Sequence, residues 1–591
     1  MNTPQNLIKN ANKYPNEPAL SVKNEKGQWQ TDSWAEFFDF TMGISKSLLA
    51  LGLQANDKIS IYSYNRKEWY GCYQASQMIN VVSVGVYHTS SAEKVQWVVG
   101  NSDSKIVFVG NNPNDNGETE KMPNHRLNNI IDQLSKVEVV VMMAGVDTLS
   151  HPKAISWEEF IARGEGINES EVFTRIDRIK PDHTSCLIYT SGTTGNPKGV
   201  ELTHKNWIFE LGSIENRIKF YQGERYVSWL PLAHVFGQLV DNHYWVHGAL
   251  HLYVVSSPLL VVDFAKEIKP HFFIGVPRIY EKIYSNLKAA IDGKAILKIG
   301  LKIPGLSNIF KKKLKEATGF SETRFAISGA APINPDILTL FQFLGIPLFE
   351  GYGMTENTAV ATINYQEYNK IGTVGKAMQD TEIKIAEDGE ILMKGDHVMK
   401  GYYNNPTATA ETIIDGWYHT GDVGQIDSDG FVSITGRKKE IYVTSNGKNI
   451  APLVIEETMK SIPLLSQCFL VGDGRNYCSA LFTLDVGAIL RDKLGVDSNA
   501  IPKDPVEQIT MLGEKGHTLA DFTDSGEFKS EIQSLVEKLN VKFSNPEQLK
   551  KFSILPRDFT VDDGELTPTL KIRRKQIREN WADVIESMYT D

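Results

Sequence analysis

The sequence predicts an α/β protein, with a large N-terminal domain of layered α/β subdomains and a smaller α+β C-terminal domain. Three observations predict it. Short apolar runs alternate with helical stretches from Ile59 past residue 340, which is the pattern of strand–helix layers built on a largely parallel sheet. At 591 residues the chain exceeds what one core fills. Near residues 427–436 the punctuation changes, with a turn, a strand and a charged run in quick succession.

The elements follow in order. Ser33 is a capping signal for a helix with Trp34, Phe37, Phe38, Ile44 and Leu48 on or near one face, and Gly52 stops it. Strands are expected at Ile59–Tyr62, Val81–Val86, Ile106–Val109 and Val137–Met143, and a further apolar run at Cys186–Tyr189. Ala249 to Ala265 is the most apolar stretch. It is interrupted by His251, Ser256, Ser257, Pro258 and Asp263, too short and too broken to span a bilayer, and reads as core strand and helix. Leu338, Leu340, Phe341 and Leu344 pack a helix before Gly345. Asp427–Gly430 is a turn, Phe431–Thr435 a strand and Gly436–Lys439 a charged junction, so the domain boundary is placed at Arg437–Glu440. Beyond it come a helix near Leu453–Lys460, strands at Gln467–Val471 and Cys478–Leu484, and a helix with Phe528, Ile532, Leu535 and Leu539 on one face.

Bulk chemistry excludes several classes. A net charge of -10 lacks the basic excess of a nucleic-acid binder, so no nucleic-acid partner is expected. Four cysteines, Cys72, Cys186, Cys468 and Cys478, form no close metal-ligand pair and suit free thiols in a reducing cytoplasm. The first fifteen residues lack an apolar signal core. The chain reads as cytoplasmic and soluble, or at most peripheral to a membrane. There are two basic runs, Lys311–Lys313 with Lys315 and Lys571–Arg578; the first could touch anionic lipid or phosphates, and a solvated helix face fits it at least as well.

Residues 189–200 read Tyr-Thr-Ser-Gly-Thr-Thr-Gly-Asn-Pro-Lys-Gly-Val. The glycines let backbone approach a ligand closely, and Thr190, Ser191, Thr193 and Thr194 offer hydroxyls beside free N–H groups, a combination suited to phosphate oxygens. It is not a Walker A loop, because Lys198 stands outside that frame with no Ser or Thr after it. As composition alone, a solvated Ser/Gly linker fits as well. Four further motifs follow. They are Trp229-Leu-Pro-Leu-Ala-His234, Gly351-Tyr-Gly-Met-Thr-Glu356, Trp417-Tyr-His-Thr-Gly-Asp422 with Arg437, and Leu566-Thr-Pro-Thr-Leu-Lys571.

With these strings in this order, the chain resembles the AMP-forming adenylate superfamily of acyl-CoA synthetases, firefly luciferase and peptide-synthetase adenylation domains. Gly275–Lys282, Ser328–Pro332 and Gly447–Pro452 look most like long-chain fatty acyl-CoA synthetases of the bubblegum type. The resemblance implies an N-terminal domain at 1–436 holding the ATP and acyl sites, a hinge at 437–439 centred on Lys439, and a mobile domain at 440–591. It implies ATP, Mg²⁺ and coenzyme A as cofactors and a fatty acid as substrate.

The same resemblance assigns the residues. Thr190, Ser191, Gly192, Thr193, Thr194, Gly195 and Lys198 would hold ATP phosphates. Gly329, Ala330, Ala331, Tyr352 and Gly353 would line the nucleotide and acyl path. Thr355 would touch the α-phosphate, Glu356 would hold Mg²⁺, and Asp422 with Arg437 would take the ribose hydroxyls. His234 would close the acid pocket, and Ser445 and Gly447 would line the CoA channel, where Asn446-Gly447 departs from a paired Gly-Gly. Lys571 would lie between the substrate carboxylate and the α-phosphate, offsetting the repulsion of two anions that must meet. Rival readings are an acyl-AMP ligase loading a carrier protein, a luciferase-like oxygenase, and a non-catalytic nucleotide-binding protein.

Overall fold

The computed structural model describes residues 3–112, 119–190, 196–255, 257–443, 449–498, 500–567 and 571–590, without the side chains of Thr119 and Ala295. Its centre is an eight-stranded sheet. In order across it lie Gly401–Tyr402, Lys198–Thr203, Thr184–Thr190, Val82–Val86, Lys58–Ser63, Ser104–Gly110, Val139–Met142 and Ala154–Ile155. The six strands from Thr184–Thr190 onward pair in parallel, and the first two join antiparallel. Both faces of the parallel part are covered. That is why its strands read as continuous apolar runs rather than as alternation.

The expected first helix spans Trp34–Ala50. The Ser33 hydroxyl accepts from the Glu36 N–H at 3.3 Å while the Ser33 N–H donates to the Glu36 carboxylate at 2.8 Å, a capping box. Trp34, Phe37, Ile44 and Leu48 are fully buried, and Phe38 is half-buried. The helix ends ahead of Gly52, as read.

Three smaller sheets complete the large unit. A four-stranded one comprises Arg225–Ser228, His251–Val254, Pro18–Lys23 and Trp29–Ser33. A five-stranded one runs Phe272–Gly275, Phe325–Ser328, Leu348–Tyr352, Thr362–Ile363 and Lys376–Ala377. The third contains Glu390–Lys394, the long strand Trp417–Ile426 and, beside it, Val432–Arg437. The apolar stretch at 249–265 supplies the strand His251–Val254 and most of the helix Val261–Ile268. It is not core throughout, because Leu259 and Leu260 stand exposed on the turn between the two.

Past Arg437, a three-stranded sheet of Leu465–Val471, Cys478–Leu484 and Leu549–Ile554 carries the helices Pro452–Met459 and Gly526–Asn540. The latter helix buries Phe528 and Ile532 as expected, but Val536 takes the third core place. Leu535 and Leu539 lie at its margin, because the contact stripe follows i, i+4, i+8. The buried clusters drawn from residues 7–432 share no member with those drawn from 442–588. The units touch through polar side chains. Arg278 donates to the Ser466 hydroxyl at 3.1 Å, Lys460 pairs with Glu281 at 3.8 Å, Lys121 pairs with Asp562 at 3.0 Å, and Lys503 pairs with Asp263. All four cysteines are buried free thiols.

Candidate active site

The site grows from one cross-strand pair. Trp417–Ile426 and Val432–Arg437 are antiparallel neighbours, and their register sets Asp422 directly opposite Arg437. The Arg437 Nε lies 2.9 Å from Asp422 Oδ1, and the Tyr352 hydroxyl donates to Oδ2 at 2.7 Å. Asp422 is buried, whereas Arg437 keeps about half its side chain exposed (49%), so the pair presents charge to an opening. Burial, reinforced by the Asp422 carboxylate, pushes the Tyr352 phenol well above its ordinary range, so it acts as a donor.

Tyr352 ends the strand Leu348–Tyr352, and the chain then turns sharply at Gly353. A β-carbon there would lie 2.0 Å from the Ala359 carbonyl oxygen, so only glycine fits. The turn delivers Thr355, buried, and Glu356, half-buried, in a single helical turn Thr355–Asn357. The Tyr402 hydroxyl donates to the Glu356 carboxylate at 3.0 Å, and Lys198 Nζ lies 4.3 Å from the centre of the Tyr402 ring. Tyr402 was not read from the sequence. It stands outside every motif and arrives because Gly401–Tyr402 pairs with the strand that begins at Lys198.

Thr190 and Lys198 face each other as the last pair of their two strands. Ser191, Gly192, Thr193, Thr194 and Gly195 lie outside the described residues, as do Ser445 and Gly447. Gly329, Ala330 and Ala331 follow the strand Phe325–Ser328. Ala330, at φ +68°, turns the chain along the same opening.

The small unit brings the last member. Leu566 and Ile572 form an antiparallel bridge, the Lys571 N–H donates to the Thr567 hydroxyl at 3.0 Å, and the Thr567 N–H donates to the Lys571 carbonyl at 2.8 Å. Lys571 is open to the cleft yet deep within it. Withdrawal from bulk water, and then the Arg437 charge, lowers its pKa, against the pull of Asp422 and Glu356. His234 feels the same ammonium. Burial first, then Lys571, takes its pKa down to about 3, so the imidazole is neutral at pH 7. The Phe236 N–H donates to His234 Nδ1 at 3.3 Å, which leaves Nε2 to carry the proton. Lys439 sits exposed in the single turn Lys438–Glu440 beside this group.

Every described residue singled out from the sequence lines one continuous cleft of about 2830 Å³, several times the roughly 300–1,000 Å³ of an ordinary small-molecule pocket. Its lining also includes the buried apolar side chains of Ile279, Ile283, Leu287, Leu314, Ile333 and Ile337. Glu350 also lines it, opposite Ser328 in the sheet, and burial pushes its carboxyl up to about 8. Among the described residues no cluster of three or more His, Cys, Asp or Glu is placed to hold a metal. A lone carboxylate such as Glu356 fits a hard cation that takes its remaining oxygens from phosphate and water.

The AMP-binding enzyme family profile matches residues 7–403, and the profile of the AMP-binding enzyme C-terminal domain matches 439–494. The long-chain-fatty-acid–CoA ligase FadD15 of Mycobacterium tuberculosis is 33% identical over 589 residues, spanning 95% of this chain and 93% of the relative. The long-chain-fatty-acid–CoA ligase ACSBG2 of Xenopus laevis is 30% identical over 98% of this chain and 82% of its own length. Among solved structures, the adenylation domain of a carboxylate reductase from Mycobacterium chelonae aligns with TM-score 0.77 at 18% identity, over 100% of this chain and 91% of that one. The O-succinylbenzoate coenzyme A synthetase of Bacillus subtilis, in complex with ATP and magnesium, aligns with TM-score 0.68 at 21% identity, over 97% and 99%. These likenesses are of fold.

Proposed function

Because this chain belongs to the AMP-binding enzyme family, we propose that it is an AMP-forming long-chain fatty acid–CoA ligase. The acid's carboxylate oxygen attacks the α-phosphorus of ATP and pyrophosphate leaves. The CoA sulfur then attacks the acyl carbon of the acyl-AMP and AMP leaves. The observation that carries this reading is Lys571, brought from the small unit into the field of Arg437, Asp422 and Glu356. An ammonium at that place offsets the repulsion between carboxylate and phosphate and stabilises charge on the five-coordinate phosphorus.

The geometry supports the other roles of this reading. Asp422 and Arg437 take the ribose hydroxyls, as a paired acceptor and donor, and Tyr352, fixed by Asp422, packs against the base. Thr355, Thr190 and Lys198 serve the phosphates. Glu356, oriented by Tyr402, would hold a Mg²⁺ that neutralises the leaving pyrophosphate. Neutral His234 closes the carboxylate end of the acid pocket. The apolar wall from Ile279 to Ile337 accepts the acyl chain, and this supports a long-chain acid.

Separate core clusters on either side of residues 433–441, and the exposed turn at Lys439, support a hinge at 437–439 between units 1–436 and 440–591. Buried free thiols support a reducing, cytoplasmic setting. Among the described residues no helix is long and apolar enough to cross a membrane, so any membrane contact in this reading is peripheral.

Lys571→Ala tests the whole. Pyrophosphate release with a panel of fatty acids should fall roughly 10²- to 10³-fold, the scale of losing one transition-state charge contact. Thioester formation from supplied acyl-AMP and CoA should persist. Wild-type rates in both assays would remove Lys571 from the mechanism. Pyrophosphate release without any acyl-CoA product would point to a different acceptor.

A further inference from the structure

The helix Ala92–Asn101 contributes no lining to the cleft, yet three of the segments that enter the site are tied to it. Ser91 caps its start, and Val95, Val98 and Val99 turn inward to the core. Lys94, Trp97 and Asn101, spaced by three and four, share another face. The Trp97 indole N–H donates to the Pro197 carbonyl at 2.9 Å. The Tyr189 hydroxyl donates to the Asn101 side-chain oxygen at 2.7 Å. Just past the helix, the Asp103 carboxylate accepts from the Tyr403 hydroxyl at 3.1 Å, and the Tyr403 N–H donates to the Gly199 carbonyl at 2.8 Å.

Each of these partners adjoins a residue that lines the cleft. Pro197 precedes Lys198, Tyr189 precedes Thr190, and Tyr403 follows Tyr402, which orients Glu356. One helix outside the cleft thus holds the chain at three places, each a single step from the charged and hydroxyl groups inside.

Trp97 carries the argument furthest. Of ten tryptophans it is the one left exposed, at 37%, so apolar burial does not account for its place. Its N–H can only donate, and Pro197 offers a carbonyl and no N–H, so the bond runs in the single sense open to the pair. Proline also fixes φ at about -65°, so a bond to its carbonyl holds a stiff joint immediately before Lys198. Lys198 Nζ lies 4.3 Å from the centre of the Tyr402 ring, so a shift at Pro197 reaches both the ammonium and the tyrosine that orients Glu356. Lys94, on the same face, has its pKa lowered by burial and then by the Arg573 guanidinium, two residues past Lys571. That face therefore looks toward the chain that carries the lysine.

We propose that Trp97 is a positioning residue, which through Pro197 sets the Lys198 ammonium in place for the phosphates of ATP. That Lys198 meets ATP phosphates rests on the ligase reading.

The test measures calorimetric binding of ATP with magnesium, and of AMP, to the full chain, alongside pyrophosphate release with a fatty acid. Trp97→Phe keeps an aromatic ring and loses the N–H. Trp97→His restores a donor, because the five-membered ring of histidine sets Nε2 where the indole nitrogen stands. Trp97→Phe should weaken ATP about fivefold, the scale of one hydrogen bond, and leave AMP unchanged. KM for ATP should rise by a like factor, while KM for the acid and thioester formation from supplied acyl-AMP stay as in wild type. Trp97→His should recover most of the loss, and wild-type melting temperatures in both variants report that they fold. Unchanged ATP binding by Trp97→Phe, equal weakening of ATP and AMP, or a loss that Trp97→His does not recover overturns the proposal. A wild type that binds ATP and forms no acyl-AMP, with Trp97→Phe still weakening ATP alone, would sink the ligase reading and leave the role of Trp97 standing.

Discussion

Glu350 is the side chain in this cleft whose charge state is most at odds with its residue type. Buried in the strand that also carries Tyr352, its carboxyl is pushed up to about 8, so it is neutral at pH 7. In the unfolded chain it ionises near 4.5. The folded state therefore holds a proton that the unfolded state releases, and stability should decline as pH rises from about 4.5 to about 8 and level off above. Glu350→Gln removes that slope. Melting temperatures across this range should flatten relative to wild type, and an identical pH profile would refute the neutral acid. Neither Glu350 nor Tyr402 was legible in the sequence. A glutamate before a glycine and a tyrosine after one carry no signal until sheet pairing sets them in the cleft. Asp422, Arg437 and Lys571 were legible only as members of a series. The turn Asp427–Gly430, which the sequence did announce, starts that pairing, but a bulge at Val423–Gly424 that it did not announce shifts the register by one residue and sets Asp422 opposite Arg437.

At the level of elements, local chemistry was read well because it is local. The Ser33 cap, the parallel strands and the turn at 427–430 each depend on residues a few positions apart. What was missed depends on neighbours, such as Val536 displacing Leu535 from the core stripe. The helix Pro277–Asp292 shows the same limit. Arg278 occupies its first turn, where a cation opposes the helix dipole, and it pairs with Glu281 of the same helix at 3.6 Å. Its further partners lie in the small unit. Arg278 donates to Ser466, which in turn donates to Asp558 at 2.5 Å, and Asp485 and Asp558 add their field to that of Glu281. This contact helps fix the orientation in which Lys571 reaches the cleft. Arg278→Ala should slow pyrophosphate release about fivefold, ~1 kcal/mol. Thioester formation from supplied acyl-AMP should be less affected. Equal losses in the two assays would make Arg278 a general stabiliser rather than a positioning residue.

For the whole molecule, the residues before and after the turn at Lys439 meet through ion pairs and hydrogen bonds, Lys460 with Glu281, Lys121 with Asp562 and Arg278 with Ser466. Lys439→Pro would fix φ near -65° and remove a donor at the exposed turn between them. In the hinge reading one half-reaction should fall several-fold more than the other. Matching losses would leave no reason to call the turn a hinge. In the proposed division into units, the change in punctuation is what could be read from the sequence. Their orientation could not, because contacts such as Arg278–Ser466 join residues nearly two hundred positions apart.

In the proposed reading Asp422 and Arg437 hold the ribose, and their placement has a consequence for wasted turnover. The two lie on neighbouring strands ahead of the proposed mobile unit, which carries Lys571. In the proposed reaction the acyl-AMP therefore stays where it was made while its cover moves. During that interval a mixed anhydride stands before water with no lysine over it. AMP released in excess of thioester is then a clock for the interval. A substrate whose chain fills the apolar wall less completely should lengthen the reading on that clock.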